Sequence, residues 1–388
     1  MAGRIRSSFN GRIKEIPEIF VDNFEVVGKK AYFLSHCHED HIQGLFTKKF
    51  LAYLKQSKTF IYMSEISASI IDVMSDGDYG TYIKPLKLGS TIITLKGDDS
   101  DDDGASDLYL KVSLIPAGHC FGSVMFLFRT PTKTILYTGD FRINPSDISK
   151  YNQLHENGQP IEIDVMYVDT TFQDKLHEEF PKRSETVDYA IDEMKKWLDD
   201  EFEEDRCIAL HTSARFGYEF VYKEIFKRLK LRVYVKPAIR QFYWKFPEIL
   251  NVITKDPESK VHLCTQRFAN GDHRNCDIDK TFDKTFLYVH FSALRWNNCD
   301  VNEKMININQ NKMDVCFATH CSRSELNAFV TYFAPKKIVG FREPYLIHLK
   351  GNHDFDDAFV ESPPKKVVCK RDGVKKVPVD VLRKIFDD

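Results

Sequence analysis

The chain has 388 residues, which at about 100–200 residues per domain leaves room for two cores or for one core with a large insertion. Hydrophobic residues at 43% and charged residues at 29%, without a run of about 20 apolar residues or a leading signal-like segment, exclude a membrane span and read as a soluble intracellular protein. A net charge of −2 excludes global attraction to nucleic acid, so any DNA contact needs a local basic surface, and nine scattered cysteines exclude a disulfide framework and fit reduced thiols, a few of them on metal.

In chain order, four short apolar runs each stop at a polar cluster: Ala31 to Leu34 before Ser35, Leu110 to Ile115 before His119, Thr134 to Tyr137 before Asp140, and Val165 to Val168 before Asp169. Such runs read as buried strands feeding one catalytic edge. Between the first two, Gly97 to Asp107 carries six aspartates between strand-like segments and reads as a solvated hairpin loop rather than a metal site. After Phe172, helices alternate with strands. A helix from about Ser184 has an apolar stripe of Val187, Ile191, Met194 and Leu198. A strand at Cys207 to Leu210 leads through Thr212 to Phe216 into a helix bearing Val221, Ile225 and Leu229. Further strands at Arg232 to Val235, Lys260 to Cys264, Thr285 to Phe291 and Met313 to Ala318 imply an α/β layer. Ser322 and Glu325 form a capping box for a helix carrying Leu326, Phe329, Val330 and Phe333. The lysine-rich tail from Pro363 reads as a solvated end.

The strongest chemical signal is Ser35-His36-Cys37-His38-Glu39-Asp40-His41. Alternation in an extended chain puts His36 and His38 on one side, and the turn that follows presents Asp40 and His41. Imidazole and carboxylate are good ligands for divalent zinc, and four of them within six residues suit two adjacent ions. His119 and Asp140 each follow an apolar run, so they complete a set: His36, His38 and His119 for one ion, Asp40 and His41 for the other, Asp140 bridging. Manganese, nickel or magnesium fit the same ligands. Alone, His119 reads as a loop histidine and Asp140 as a turn former; the set gives them meaning.

These motifs, with Asp22 in Ile19-Phe20-Val21-Asp22-Asn23-Phe24 and the Val168-Asp169-Thr170-Thr171-Phe172 segment, resemble the metallo-β-lactamase superfamily and, within it, the β-CASP DNA nucleases. The resemblance implies a metallo-β-lactamase αββα sandwich, residues 1–172 and 321–388, with an inserted α/β β-CASP domain at 173–320. It also implies a nucleus-located hydrolase that cuts DNA ends, hairpins and single-strand/double-strand junctions during double-strand break repair. Asp40, Asp169, His320 and Asp22 would be its catalytic residues, and a 5′-phosphate and a 3′-hydroxyl its products. Asp169, His320 and Val339 fall at family motif positions, and valine at the last is the residue of the DNA-acting branch. DNA is the implied partner; DNA-dependent protein kinase and end-joining factors follow by resemblance alone.

Arg215, Gly217 and Arg142 are candidate substrate ligands, the first two in a loop that opens a helix and offers backbone amides to a phosphate, or is simply a strand-to-helix turn. His262, Cys264, His273 and Cys276 have the composition of a third, structural zinc site. Three of them match family ligands, while Tyr234 stands where a histidine is expected, so either His273 substitutes or the site is absent. Glu39 and Gln43 replace lysines of the DNA-acting relatives beside the metal motif. An RNA-processing β-CASP nuclease, a catalytically silent DNA-end scaffold, and a small-molecule thioesterase or lactamase are the competing readings.

Overall fold

The computed structural model describes residues 9–97, 107–199, 205–264, 276, 284–298, 300–301, 303 and 305–341. Much of the aspartate-rich loop, His273 and the lysine-rich tail lie outside them.

The first sheet is parallel throughout, in the order β1 (Ile19–Val21), β2 (Ala31–Leu34), β3 (Phe60–Ser64) and β4 (Ile83–Leu86). Its connections carry α1 (Lys48–Ser57), capped by Thr47, and α2 (Glu65–Met74), capped by Ser64. Each cap hydroxyl accepts an otherwise unpaired first-turn amide. The second sheet begins as an antiparallel meander of β5 (Gly89–Leu95), β6 (Leu108–Pro116), β7 (Val124–Arg129) and β8 (Thr134–Tyr137). A small hairpin of β9 (His155–Glu156) and β10 (Gln159–Pro160) precedes β11 (Val165–Val168), which joins the second sheet parallel to β8.

The chain then leaves for α3 (Arg183–Leu198) and a third sheet. That sheet contains β12 (Arg206–His211), β13 (Val233–Tyr234), β14 (Ile253–Thr254), β15 (Val261–Cys264), β16 (Thr285–Ser292), β17 (Ile306–Asn309) and β18 (Lys312–Cys316), with α4 (Glu219–Leu229) after β12. Its order is β14-β13-β15-β12-β16-β18-β17, parallel except where β17 meets β18. α5 (Pro237–Arg240) and α6 (Pro247–Leu250) are single turns between β13 and β14, each started by a proline whose fixed φ suits a first helical position. The chain returns through α7 (Arg323–Phe333) to β19 (Lys337–Gly340), which adds to the second sheet beside β11.

Alternation along the strands explains the layers. Val21, Ala31 and Phe33 from the first sheet meet Val112, Leu114, Phe126, Phe128, Ile135 and Tyr137 from the second, forming the inner core of a sandwich. The opposite face of the first sheet, through Tyr32, Leu34, Ile61 and Met63, packs on Phe50 and Leu54 of α1 and Ile70 and Ile71 of α2. The opposite face of the second sheet, through Ile115, Met125, Leu127, Leu136 and Met166, packs on Leu326, Phe329 and Val330 of α7. The architecture is an αββα sandwich carrying an inserted α/β unit. The α1/α2 core continues into the insertion through Val187, Ile191, Leu210, Val221 and Phe291, so apolar packing ties the insertion to the sandwich. Both bonds of the Ser322–Glu325 capping box are present at the start of α7.

Candidate metal centre

Loops following β1, β2, β6, β8, β11 and β18 converge at one place, and they carry Asp22, the Ser35–His41 stretch, His119, Asp140, Asp169 and His320. Strand carboxyl ends are the usual ligand edge of an open α/β sheet, because connecting loops there are free to vary without disturbing the pairing beneath.

Each of four histidines has one ring nitrogen facing a protein partner. His36 Nδ1 lies 3.0 Å from Ser35 Oγ, and His41 Nδ1 lies 2.9 Å from Asp22 Oδ2. His38 Nε2 lies 3.1 Å from the Phe216 carbonyl, and His119 Nδ1 lies 2.9 Å from the Thr319 carbonyl. Carbonyls and carboxylates only accept, and the Ser35 hydroxyl is already a donor to Asp22 at 2.6 Å, so these partners place the imidazole proton on the outward nitrogen. The inward nitrogens are thereby left with lone pairs, the arrangement by which outer partners orient metal-binding imidazoles.

The inward atoms surround Asp140. Its Oδ2 lies 3.7 Å from His36 Nε2, 3.3 Å from His41 Nε2 and 3.7 Å from His119 Nε2. Asp40 Oδ2 is 3.5 Å from His41 Nε2. Two observations show that this donor set fits cations. His36 is wholly buried, yet its Nε2 has no hydrogen-bond partner. His38 Nδ1 and His119 Nε2, both acceptors by the assignment above, face each other at 3.0 Å, a repulsive contact unless positive charge lies beside it and a spacing near that of two ligands on one tetrahedral ion.

Electrostatics agree with that chemistry. Burial, then the neighbouring imidazoles, holds His36 and His119 well below the usual histidine range. Burial also lowers His38, with Asp40 opposing it. These three are therefore neutral near pH 7, the form that ligates. Burial pulls His41 down too, but Asp140, Asp40 and Asp22 outweigh it and raise the group well above its ordinary value. His41 thus sits where the local field demands a cation, and a metal meets that demand in place of the proton.

Beside this pocket, His320 Nδ1 lies 2.7 Å from Asp169 Oδ2, and the His320 ring packs 4.5 Å from that of His119. The other Asp169 oxygen accepts from Thr171 N and Oγ1 at 2.9 and 2.6 Å. Although burial opposes both charges, mutual attraction raises His320 and lowers Asp169, so the two behave as one ion pair.

Asp22, expected among the catalytic residues, is brought to the site behind His41. It accepts from Ser35 N at 2.7 Å, Ser35 Oγ at 2.6 Å, His41 Nδ1 at 2.9 Å and Tyr137 Oη at 2.8 Å. Gly217 presents φ +115°, a backbone that favours glycine, but its amide donates to Glu219 Oε2 at 2.8 Å and so faces inward. Arg215 lies at the rim, its guanidinium 5.5 Å from the Phe242 ring centre and 3.9 Å from Glu39 Oε1.

Arg142, expected as a substrate ligand, is engaged inside the fold. The side chain is 7% exposed. Its donors reach Glu325 at 3.0 and 3.1 Å, Ala318 O at 3.0 Å and Pro181 O at 2.9 Å. A buried guanidinium must have its donors matched, and this one braces the Asp140 loop against the start of α7.

The expected structural-zinc set is only partly gathered. His262 Nδ1 lies 3.2 Å from Cys276 Sγ and Cys264 Sγ lies 3.9 Å from the His262 carbonyl, while Tyr234 packs its ring 5.5 Å from that of His262. Val339 pairs with Tyr167 in the second sheet and packs against the sandwich core. Not singled out from sequence was Cys120, whose Sγ lies within 4.8 Å of the ligand nitrogens of His36, His38 and His119. Its adjacency to His119 was the available signal, and burial raises its thiol far above the ordinary range.

Residues 247–341 match the family described as DNA repair metallo-beta-lactamase. Protein artemis of Homo sapiens is 28% identical over 342 residues, covering 85% of this chain and 48% of that protein. The chain is thus similar, over most of its length, to a DNA-repair protein, and over residues 247–341 to the DNA repair metallo-beta-lactamase family. The DNA cross-link repair protein pso2/snm1 of Schizosaccharomyces pombe is 30% identical over 67% of this chain and 43% of its own length. The DNA cross-link repair 1A protein of Homo sapiens is 28% identical over 82% of this chain and 29% of its own length. The chain spans about half the length, or less, of these curated relatives. Among the described residues no helix is long and apolar enough to cross a membrane.

Proposed function

We propose that the chain is a metal-dependent nuclease that hydrolyses phosphodiesters at DNA ends, hairpins and single-strand/double-strand junctions in double-strand break repair. The observation that carries the reading is the pocket in which the inward nitrogens of His36, His41 and His119 surround Asp140 and that of His38 meets His119, with the Asp169–His320 pair on its edge. DNA as substrate is favoured over RNA or small molecules by relatives whose names place them in DNA cross-link repair. A nuclear site of action, and contact with DNA-dependent protein kinase and end-joining factors, extend the same proposal.

In this reading His36, His38 and His119 would hold one divalent ion and Asp40 and His41 a second, with Asp140 shared between them, and zinc would suit the nitrogen-rich set best. Divalent ions bound there would acidify water and neutralise charge on phosphoryl oxygens. Asp40, more exposed than Asp22, Asp140 or Asp169, orients the attacking water. His320, kept protonated by Asp169, donates its proton to the departing 3′-oxygen, leaving a 5′-phosphate on the other product. Arg215 meets a flanking phosphate at the rim.

End-labelled hairpin, overhang and single-stranded DNA, with matched RNA, incubated with and without chelator, test the proposal. Chelator-sensitive cuts in DNA, at hairpin tips and junctions, are expected. Preferential RNA cleavage, or turnover of a thioester or lactam that DNA does not inhibit, would overturn it.

A further inference from the structure

His38 is held by the loop ahead of α4, through the Phe216 carbonyl. A carbonyl can steer a ligand only if its own peptide is fixed, and this peptide ends at Gly217, whose φ of +115° is one of several conformations open to glycine, so the peptide must be held from outside. The support is Glu219, 6% exposed, at the first position of α4. One of its carboxylate oxygens accepts from Gly217 N at 2.8 Å and the other from Tyr243 Oη at 2.7 Å. Gly217 is in turn wedged against the metal-side loop, where an added Cβ would lie 3.3 Å from Cys120 Cβ and 3.5 Å from the His119 carbonyl. Tyr243 packs on Phe121 of that loop, with ring centres 5.9 Å apart. Glu219 therefore ties the Phe216–Gly217 peptide and the Tyr243 turn to the loop bearing His119.

The geometry points to Glu219 as a positioning residue for the metal centre, acting through the Gly217 amide and the Phe216 carbonyl on His38. The inference rests on the nuclease reading only in that the pocket binds metal. A carboxylate suits the task because it accepts at both ends, and the start of α4 favours negative charge through the helix dipole. Glutamine can keep the Gly217 bond with its carbonyl and give its amide to the tyrosine oxygen. Alanine leaves the Gly217 amide buried without an acceptor.

The test is equilibrium titration of the metal-free full chain with cobalt(II), read by visible absorption, with circular dichroism to confirm folding. Glu219→Ala is expected to weaken one of two binding events by about 10–100-fold, the usual effect of losing an outer partner of a metal-bound imidazole, and to change the ligand-field band. Glu219→Gln is expected to stay within about threefold of wild type. A folded Glu219→Ala protein with wild-type affinity and spectrum overturns the inference. Should that variant fail to fold, Gly217→Ala displaces the same carbonyl through its added Cβ; weaker cobalt binding supports the inference and unchanged binding overturns it. A wild-type chain that binds no cobalt would instead remove the nuclease reading, a separate outcome.

Discussion

The two flanks of the metal pocket hold their histidines by different means. His36 and His41 are fixed by side chains of the sandwich itself, Ser35 and Asp22, within a few turns of chain. His38 and His119 are fixed by backbone carbonyls of Phe216 and Thr319, 178 and 200 residues away in sequence. The first flank is complete once the two sheets pack. The second requires the inserted unit to be docked, which couples the insertion's position to the ligand geometry.

Asp140 belongs to both flanks, so removing it should have the largest effect. Asp140→Ala is expected to abolish stoichiometric binding of a second ion and to slow DNA cleavage by at least about 10³-fold, several kcal/mol of charge stabilisation. Metal content by mass spectrometry and single-turnover cleavage check it. His320→Ala and Asp169→Asn separate proton transfer from metal binding: about 10²–10⁴-fold in rate is expected with two ions retained. Loss of metal in either variant would instead assign the pair to the cage.

Arg142 sharpens the contrast between a brace and a ligand. Arg142→Ala leaves the half-buried Glu325 without its guanidinium partner and should lower unfolding stability by about 2–3 kcal/mol in a denaturant titration. DNA affinity at a temperature where the variant stays folded should be unchanged; a rise in Kd would restore the substrate role. On the side-chain flank, Asp22→Asn keeps the shape but weakens the grip on His41, and about a 10–100-fold loss of affinity at one metal site is expected by competition with a chelator. The smallest effect belongs to the rim. Glu39→Lys removes the partner near Arg215 and adds a cation, so DNA binding should tighten at low salt and its logarithmic salt slope should steepen by about one.

The side-chain flank was legible from sequence because Ser35, His36 and His41 lie in one short stretch after a strand, and alternation there also puts His38 on the side of His36. His119, Asp140, Asp169 and His320 were reachable because each follows an apolar run, the first three at one edge of the second sheet and His320 after β18 of the third. The carbonyl flank carried no such signal. A backbone oxygen has no residue identity, so neither Phe216 nor Thr319 announces itself. The contacts of Arg142 were hidden for a related reason: two residues from Asp140 in sequence, it bonds to Glu325 and to carbonyls from elsewhere in the chain. The capping box of α7 was readable because both of its members sit within one turn.

The most direct measurement is anomalous diffraction from crystals of the full chain soaked in zinc. The account predicts two peaks on either side of the Asp140 carboxylate, one bonded to His36, His38 and His119 and the other to Asp40 and His41. A single peak, or none within coordinating reach of these imidazoles, would contradict it.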